Sequence, residues 1–250
     1  MTSNHFFIPK ARAAASVLVL EGREHRHLGR VLRARPGDVV TLFDEEGAKY
    51  TARIEEIAAE ATTLACLERT PGEARRTRIG LAQGLLKAKT MDFVVQKAAE
   101  LGLSDFFPVT AARSVARLEG EGAESAKIAR KIVRWEQIAL EAAKQSRLGR
   151  AVRIHAPLAL DEFLTDPLPD AALFLSERRG SLLRDVLRDA GDAPPATAAM
   201  LVGPEGGWTD AEEEAIASRG YRAVSLGRSV LRAETAALAA AALLAHFWNG

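Results

Sequence analysis

The chain has 250 residues, 48% of them hydrophobic, with a net charge of +1, which gives room for one large or two modest domains around a buried core. One cysteine, Cys66, excludes a disulfide framework and a cysteine-cluster metal site, and five scattered histidines offer no ligand pair at helical spacing. The start "MTSNHFFIPK" lacks the apolar core of a signal peptide, and the alanine-rich stretch 236–248 is too short to span a bilayer, so the expected location is the cytoplasm, with no membrane partner.

Residues 1 to about 68 read as short strands, "SVLVL", "DVVTLF", "KYTARIEEI" and "TTLACLE", broken by the turn signals "RPGD" and "DEEG". A small β barrel is expected. "RTPGEARRT", residues 69–77, has the composition of a linker. Strand and helix then alternate: "TRIGLAQ", "MDFVVQKAAELG", "DFFPVT", a long helix, "VRIHA", "AALFLS", "LLRDVLRDAG", "TAAMLVG", "DAEEEAIASRG", "RAVSLG" and a final helix. Such alternation predicts an α/β domain with a mostly parallel sheet. In the long helix, Ile128, Ile132, Trp135, Ala139 and Ala142 recur at spacings of four and three, marking one buried stripe.

The near-neutral total conceals a pattern. Residues 1–35 hold seven bases against two acids, residues 36–68 eight acids against two bases, and residues 127–153 eight bases against two acids. Any attraction for a polyanion is therefore local, and the two basic blocks make nucleic acid a candidate partner.

Two strand-loop-helix corners carry the chemistry. The first, "LVGPEGGWTDAEEEA", has the glycines of a phosphate cradle but neither the Lys-Ser or Lys-Thr of a Walker loop nor the G-x-G-x-x-G spacing, and Glu205 would repel a phosphate. Thr209 and Glu212 form a capping box that fixes the helix start. The second, "VSLGRSVLRAETAALAAAALLAHF", again runs from a strand through a glycine into a helix. Corners of this kind can face one another across a cleft at the carboxyl ends of the strands.

"LVGPEGGWTDAE" and "LGRSVLRAETA", with "HLGRVLRARPGD", "KTMDFVVQKAAELG", "ARSVAR" and "RWEQIALEAAKQS", resemble the ribosomal small-subunit RNA methyltransferase E family, uracil-N3 methyltransferases of 16S rRNA in the SPOUT superfamily. The resemblance covers nearly the whole chain. It implies a PUA-like RNA-binding β barrel over residues 1–70 and a knotted SPOUT-type α/β methyltransferase domain over residues 71–250. It also implies S-adenosylmethionine as cofactor, no metal, a homodimer, and methylation of N3 of a specific uridine in the decoding region of 16S rRNA, free or in the assembled small subunit. An acidic loop tolerates this cofactor, which has a cationic sulfonium and no phosphate.

By similarity the cofactor lies between Leu201, Gly203, Glu205 and Gly206 on one loop and Leu226, Gly227, Val230 and Leu231 on the other, with Leu175 and Ser176 lining the same pocket. Plain core packing is the competing account of the leucines. Arg232 is the candidate catalytic cation, held at a carbonyl oxygen beside N3 as the imide proton leaves; the competing account is a salt bridge to Glu234 or Glu205. No histidine lies in either corner, so the base is unassigned, with Glu205 or solvent open. Lys10, Arg12, His27, Arg30, Arg33 and Arg113 are expected to meet RNA phosphates or hold the target strand. Lys97 and Glu100 match the family but read equally as a helix i,i+3 pair, and Gln145 and Ser146 as a polar helix end. The chain departs from the family at "RLGRAV", with Arg147 early and Val152 where a proline is expected, and at Arg228 and Ser229, where proline and arginine are common. Two other readings stay open: a relative acting on a different nucleotide, and a non-catalytic RNA-binding module on the same fold.

Overall fold

A computed structural model describes residues 5–13, 17–72, 75–114, 123–146, 148–190 and 193–250. Arg147 and the last three residues of "ARSVAR" lie outside them. The chain divides into two units, Met1–Ala74 with Leu140–Ala151, and Arg75–Ala139 with Val152–Gly250.

In the first unit the period-two runs become β1 (His5–Phe7), β2 (Val17–Glu21), β3 (Val39–Phe43), β4 (Lys49–Ile57) and β5 (Ala61–Thr70), paired in the order β1-β3-β4-β5-β2. The β1–β3 pair is parallel and the rest antiparallel. Among the described residues β1 and β2 are its edges, and the expected barrel takes the form of this curled sheet. Alternation turns Leu18, Leu20, Val40, Leu42, Ile54 and Leu64 inward. The turn after β3 is built on Asp44, wholly buried, which accepts from Glu46 N (2.9 Å), Ala48 N (3.0 Å) and the Tyr50 hydroxyl (2.7 Å). Burial, and then the Asp44 carboxylate, push the Tyr50 phenol up to about 12. After β2 the chain forms α1 (Gly22–Arg26), which runs into a single π-helical turn over His27–Val31. Lys144 completes this unit as a buried ion pair, its Nζ 2.5 Å from Glu24 Oε1.

The second unit comprises β6 (Arg78–Gly84), α2 (Ala88–Glu100), β7 (Asp105–Thr110), most of α3 (Ala123–Ser146), β8 (Arg153–Ile154), β9 (Leu158–Ala159), α4 (Leu160–Phe163), β10 (Ala171–Leu175), β11 (Ser181–Leu182), α5 (Leu183–Asp189), β12 (Thr197–Val202), α6 (Asp210–Ser218), β13 (Arg222–Ser225) and α7 (Ala233–Asn249). The sheet order is β11-β13-β10-β12-β6-β7-β8, with β9 also on β7, and every pairing is parallel. Its central strands β6 and β12 are buried along nearly their whole length, as parallel strands covered on both faces require. Met91, Val94, Val95, Ala98 and Ala99 form the buried stripe of α2. On α3, Trp135, Ala139 and Ala142 are buried and Ile128 and Ile132 half-buried. Parallel register brings the carboxyl ends of β13, β10, β12 and β6 side by side, and the loops that leave them share one edge of the sheet.

Candidate active site

The first corner leaves β12 at Val202 and is pressed against the end of β6. A Cβ on Gly84 would lie 2.5 Å from Pro204 N and 2.8 Å from the Gly203 carbonyl carbon, so only glycine lets the two backbones approach this closely. The buried Gln83 amide donates to the Gly84 and Gly203 carbonyls, both at 3.0 Å. Gly207 N closes a turn on Pro204 O at 2.9 Å. The Thr209–Glu212 capping box is formed in both directions and starts α6. The Glu205 carboxylate reaches across to accept from Lys87 N (3.2 Å) at the N-cap of α2, where the helix dipole favours negative charge.

The second corner leaves β13 and is looser. Ser225 Oγ bonds Gly227 O at 3.1 Å, but the backbone of residues 228–231 makes no hydrogen bond with the described residues, and Val230 is 76% exposed. Arg232 is the N-cap of α7, exposed, and its guanidinium has no ion pair or hydrogen bond among the described residues. The salt bridge to Glu234 or Glu205 that competed for it in the sequence is not formed.

The third wall is the loop after β10. Ser176 Oγ donates to buried Glu213 at 2.8 Å and accepts from the N–H groups of Arg178 and Arg179, both at 3.2 Å. Arg179 Nε pairs with Glu213 Oε2 at 3.1 Å. These walls enclose a cleft of about 560 Å³ lined by Leu175, Ser176, Gly203, Glu205, Gly206, Leu226, Gly227, Val230, Leu231 and Arg232, with Lys87, Arg113, Arg178, Trp208, Glu213 and Arg228. Leu201 is outside it. It is wholly buried against Phe174, Trp208 and Ile216, because a one-residue step along a strand reverses the face, and it is Val202 that meets the cleft. Gln145 and Ser146 do not line it either, and Ser146 Oγ turns back to Ala143 O at 3.2 Å.

Gln83, Lys87, Arg178 and Glu213 were not singled out from the sequence. A glutamine in the otherwise apolar run "IGLAQG" was a readable signal for the first; the others depend on contacts between loops far apart in the chain.

The candidate RNA contacts divide by environment. Lys10 pairs with Glu46 (2.5 Å) and Arg12 with Glu21 (2.6 Å). The His27 ring sits edge-on to Phe6 at 5.9 Å. Arg30 and Arg33 are exposed, and their guanidinium groups have no partner among the described residues. Arg113, in the other unit, donates through Nη1 to Gly206 O (2.9 Å) and Trp208 O (3.2 Å).

A family model described as "RNA methyltransferase domain" matches residues 73–245, and one described as "RNA methyltransferase PUA domain" matches residues 20–63. The Ribosomal RNA small subunit methyltransferase E of Synechocystis sp. is 30% identical over 91% of this chain and 72% of its own length. The chain belongs to the ribosomal RNA small subunit methyltransferase E family. A crystal structure of the family's protein from Neisseria gonorrhoeae, bound to S-adenosyl methionine, superposes with a TM-score of 0.83 at 31% identity, covering 98% of this chain and 97% of that one. The Bacillus subtilis family member is 27% identical over 93% of this chain and 91% of its own. Among the described residues no cluster of His, Cys, Asp or Glu could hold a metal ion, and no helix is long and apolar enough to cross a membrane.

Proposed function

We propose that the protein methylates N3 of a uridine in 16S rRNA of the small ribosomal subunit, using S-adenosylmethionine held between the two corners. Family membership supports S-adenosylmethionine-dependent rRNA methylation, and the observation that carries the assignment to this cleft is the pair of backbone-lined corners. A volume of about 560 Å³ suits a nucleoside-sized ligand. Residues 228–231 offer unpaired backbone groups able to read a base edge, Gly203 and Gly206 let the first corner come close, and Glu205 is compatible with a cation and not with a phosphate.

When bound, the cofactor supplies an electrophilic methyl group. The protein's task is then to orient the pyrimidine and ease loss of the N3 proton. Arg232, unpaired at the mouth of the cleft, stabilises the negative charge that grows on the carbonyl oxygen beside N3, in the manner of an oxyanion hole. Orientation of N3 supplies much of the remainder. Arg228, also without an ion pair or hydrogen bond among the described residues and lining the cleft, takes the place of the arginine usual one position later. Glu205, tied to the α2 N-cap, is better placed to hold the corner than to shuttle a proton, which leaves solvent as the proton acceptor.

On the first unit, Arg30 and Arg33 are the strongest candidates for phosphate contacts, because a guanidinium already paired must first break that pair. Phe93, Leu243 and Phe247 stay exposed on α2 and α7, which supports a homodimer joined through that apolar surface. The reading places the protein in the cytoplasm with its ribosomal substrate.

Mass spectrometry of small-subunit RNA before and after incubation with protein and cofactor tests the assignment. A single N3-methyluridine is expected; a methyl group on another base or on ribose would reassign the target, and no cofactor binding would leave only an RNA-binding module. Arg232→Ala is expected to lower kcat by roughly 10²–10³ with cofactor affinity retained. Unimpaired methylation would remove Arg232 from the mechanism.

A further inference from the structure

We propose that Arg113 and Arg178 are paired positioning residues that fix the hydrogen-bonding polarity of the first corner, and so set cofactor affinity. The proposal rests on the reading that this cleft takes S-adenosylmethionine.

Four carbonyls of the corner are occupied, while those of Glu205 and Gly207 meet no donor among the described residues. Gly203 O accepts from Gln83 (3.0 Å), Pro204 O from Gly207 N (2.9 Å), and Gly206 O from Arg113 (2.9 Å). Trp208 O accepts twice, from Arg113 Nη1 at 3.2 Å and from Arg178 Nη2 at 2.7 Å. The N–H groups of Glu205, Gly206 and Trp208, by contrast, meet no acceptor among the described residues. Around Gly206 and Trp208 the corner therefore presents N–H donors rather than carbonyls, and the Trp208 N–H, on a buried residue, is costly to leave unpaired until a ligand acceptor meets it. Ring nitrogens and oxygens of an uncharged nucleoside, or a carboxylate, supply such acceptors.

The two arginines enforce this polarity from opposite sides. Arg113 follows β7, and its stem lies across Gly206, where an added Cβ would sit 3.0 Å from the Arg113 Cβ. Arg178 follows β10 and also pairs with Asp210 in the first turn of α6. It thereby ties the Ser176 loop, another wall of the cleft, to the corner. Neither cation is placed for helix stability, since both sit at the N-terminal end of α6, where the dipole disfavours positive charge. Both guanidinium groups donate to backbone carbonyls of the corner, which distinguishes Arg113 from Arg30 and Arg33, whose guanidinium groups have no partner among the described residues.

The test is calorimetry of S-adenosylmethionine on the full-length protein alone, for Arg113→Ala, Arg113→Lys, Arg178→Ala and Arg178→Lys, with affinity for a 16S rRNA fragment measured in parallel. Each alanine variant is expected to weaken cofactor binding about tenfold or more, the loss of one charge-assisted hydrogen bond, with RNA affinity within twofold of wild type. Arg178→Lys recovers most of the loss, because one ammonium still reaches the Trp208 carbonyl. Cofactor affinity unchanged in all four variants overturns the proposal, as does RNA affinity that falls while cofactor affinity holds. If one alanine variant lacks a thermal unfolding transition, the alanine variant of the other arginine decides. Failure of the wild type itself to bind cofactor rejects the underlying functional reading instead.

Discussion

Arg33 is the one non-glycine residue with a positive φ, 52°, among the described residues. It closes the helix that begins at α1: Ala34 N reaches back to Leu28 O at 3.2 Å, one residue further than in a Schellman cap because the preceding turn is π-helical, and the left-handed position at such a helix end normally holds glycine. Leu32 and Ala34, on either side, pack against the core and hold the conformation in place. An L side chain there costs about 1 kcal/mol or more, yet the guanidinium of this one makes no ion pair or hydrogen bond among the described residues. Local strain is often retained where a side chain is needed for binding. Arg33→Gly is accordingly expected to raise unfolding stability by about 1 kcal/mol while weakening RNA binding. It should also reduce the slope of log K against log salt by roughly one. Denaturant melts and a salt titration on a 16S rRNA fragment measure both; a stability gain with no loss of RNA affinity would mean that the residue contacts no phosphate.

The elements that build the cleft were partly legible before folding. Period-two runs, the α3 stripe and the Thr209 capping box are local patterns, and local patterns survive into the structure. What sequence could not supply is which atoms meet across loops. Nothing in "AQGLL" says that the end of β6 must admit Gly203 and Pro204, and nothing in "ARS" says that an arginine will spend its donors on a carbonyl 93 residues further along. The position of Leu201 outside the cleft has the same origin: motif position identifies the strand end but not which of two adjacent side chains faces the cleft. Gly84 tests the β6 contact. Gly84→Ala places a methyl group 2.5 Å from backbone, and because backbone cannot yield as a flexible side chain does, a loss of about 1–3 kcal/mol is expected by thermal denaturation. Weakened cofactor binding should accompany it, whereas Gly37→Ala, with nothing within 4 Å, should leave cofactor binding intact.

Across the molecule, the pole of the parallel sheet opposite the cleft is held by charge. Asp105 starts β7 and meets Arg78 Nη2 at 3.0 Å and His155 Nε2 at 2.9 Å, while the His155 ring stacks on Phe107 at 4.0 Å. Burial alone would raise the Asp105 carboxyl, but the hydrogen bonds from His155 and Arg78, reinforced by their charges, hold it below the usual aspartate value of 3.8. A carboxyl lowered in the fold stabilises fully above that value and loses its contribution as pH falls through the lower, folded one. Asp105→Asn is therefore expected to cost about 1–3 kcal/mol at neutral pH, with wild type and variant converging only in strong acid. Parallel curves down to pH 2 would show that the cluster adds no charge-dependent stability.

The first unit is discontinuous in sequence: it takes Leu140–Ala151 from far downstream, and with it the ammonium that answers the buried Glu24 carboxylate. Residues upstream of the linker are thus no portable cassette. A recombination event that transferred them to another enzyme would carry over an acid stripped of its counter-ion, so inheritance of the N-terminal strands is tied to that of the downstream helix.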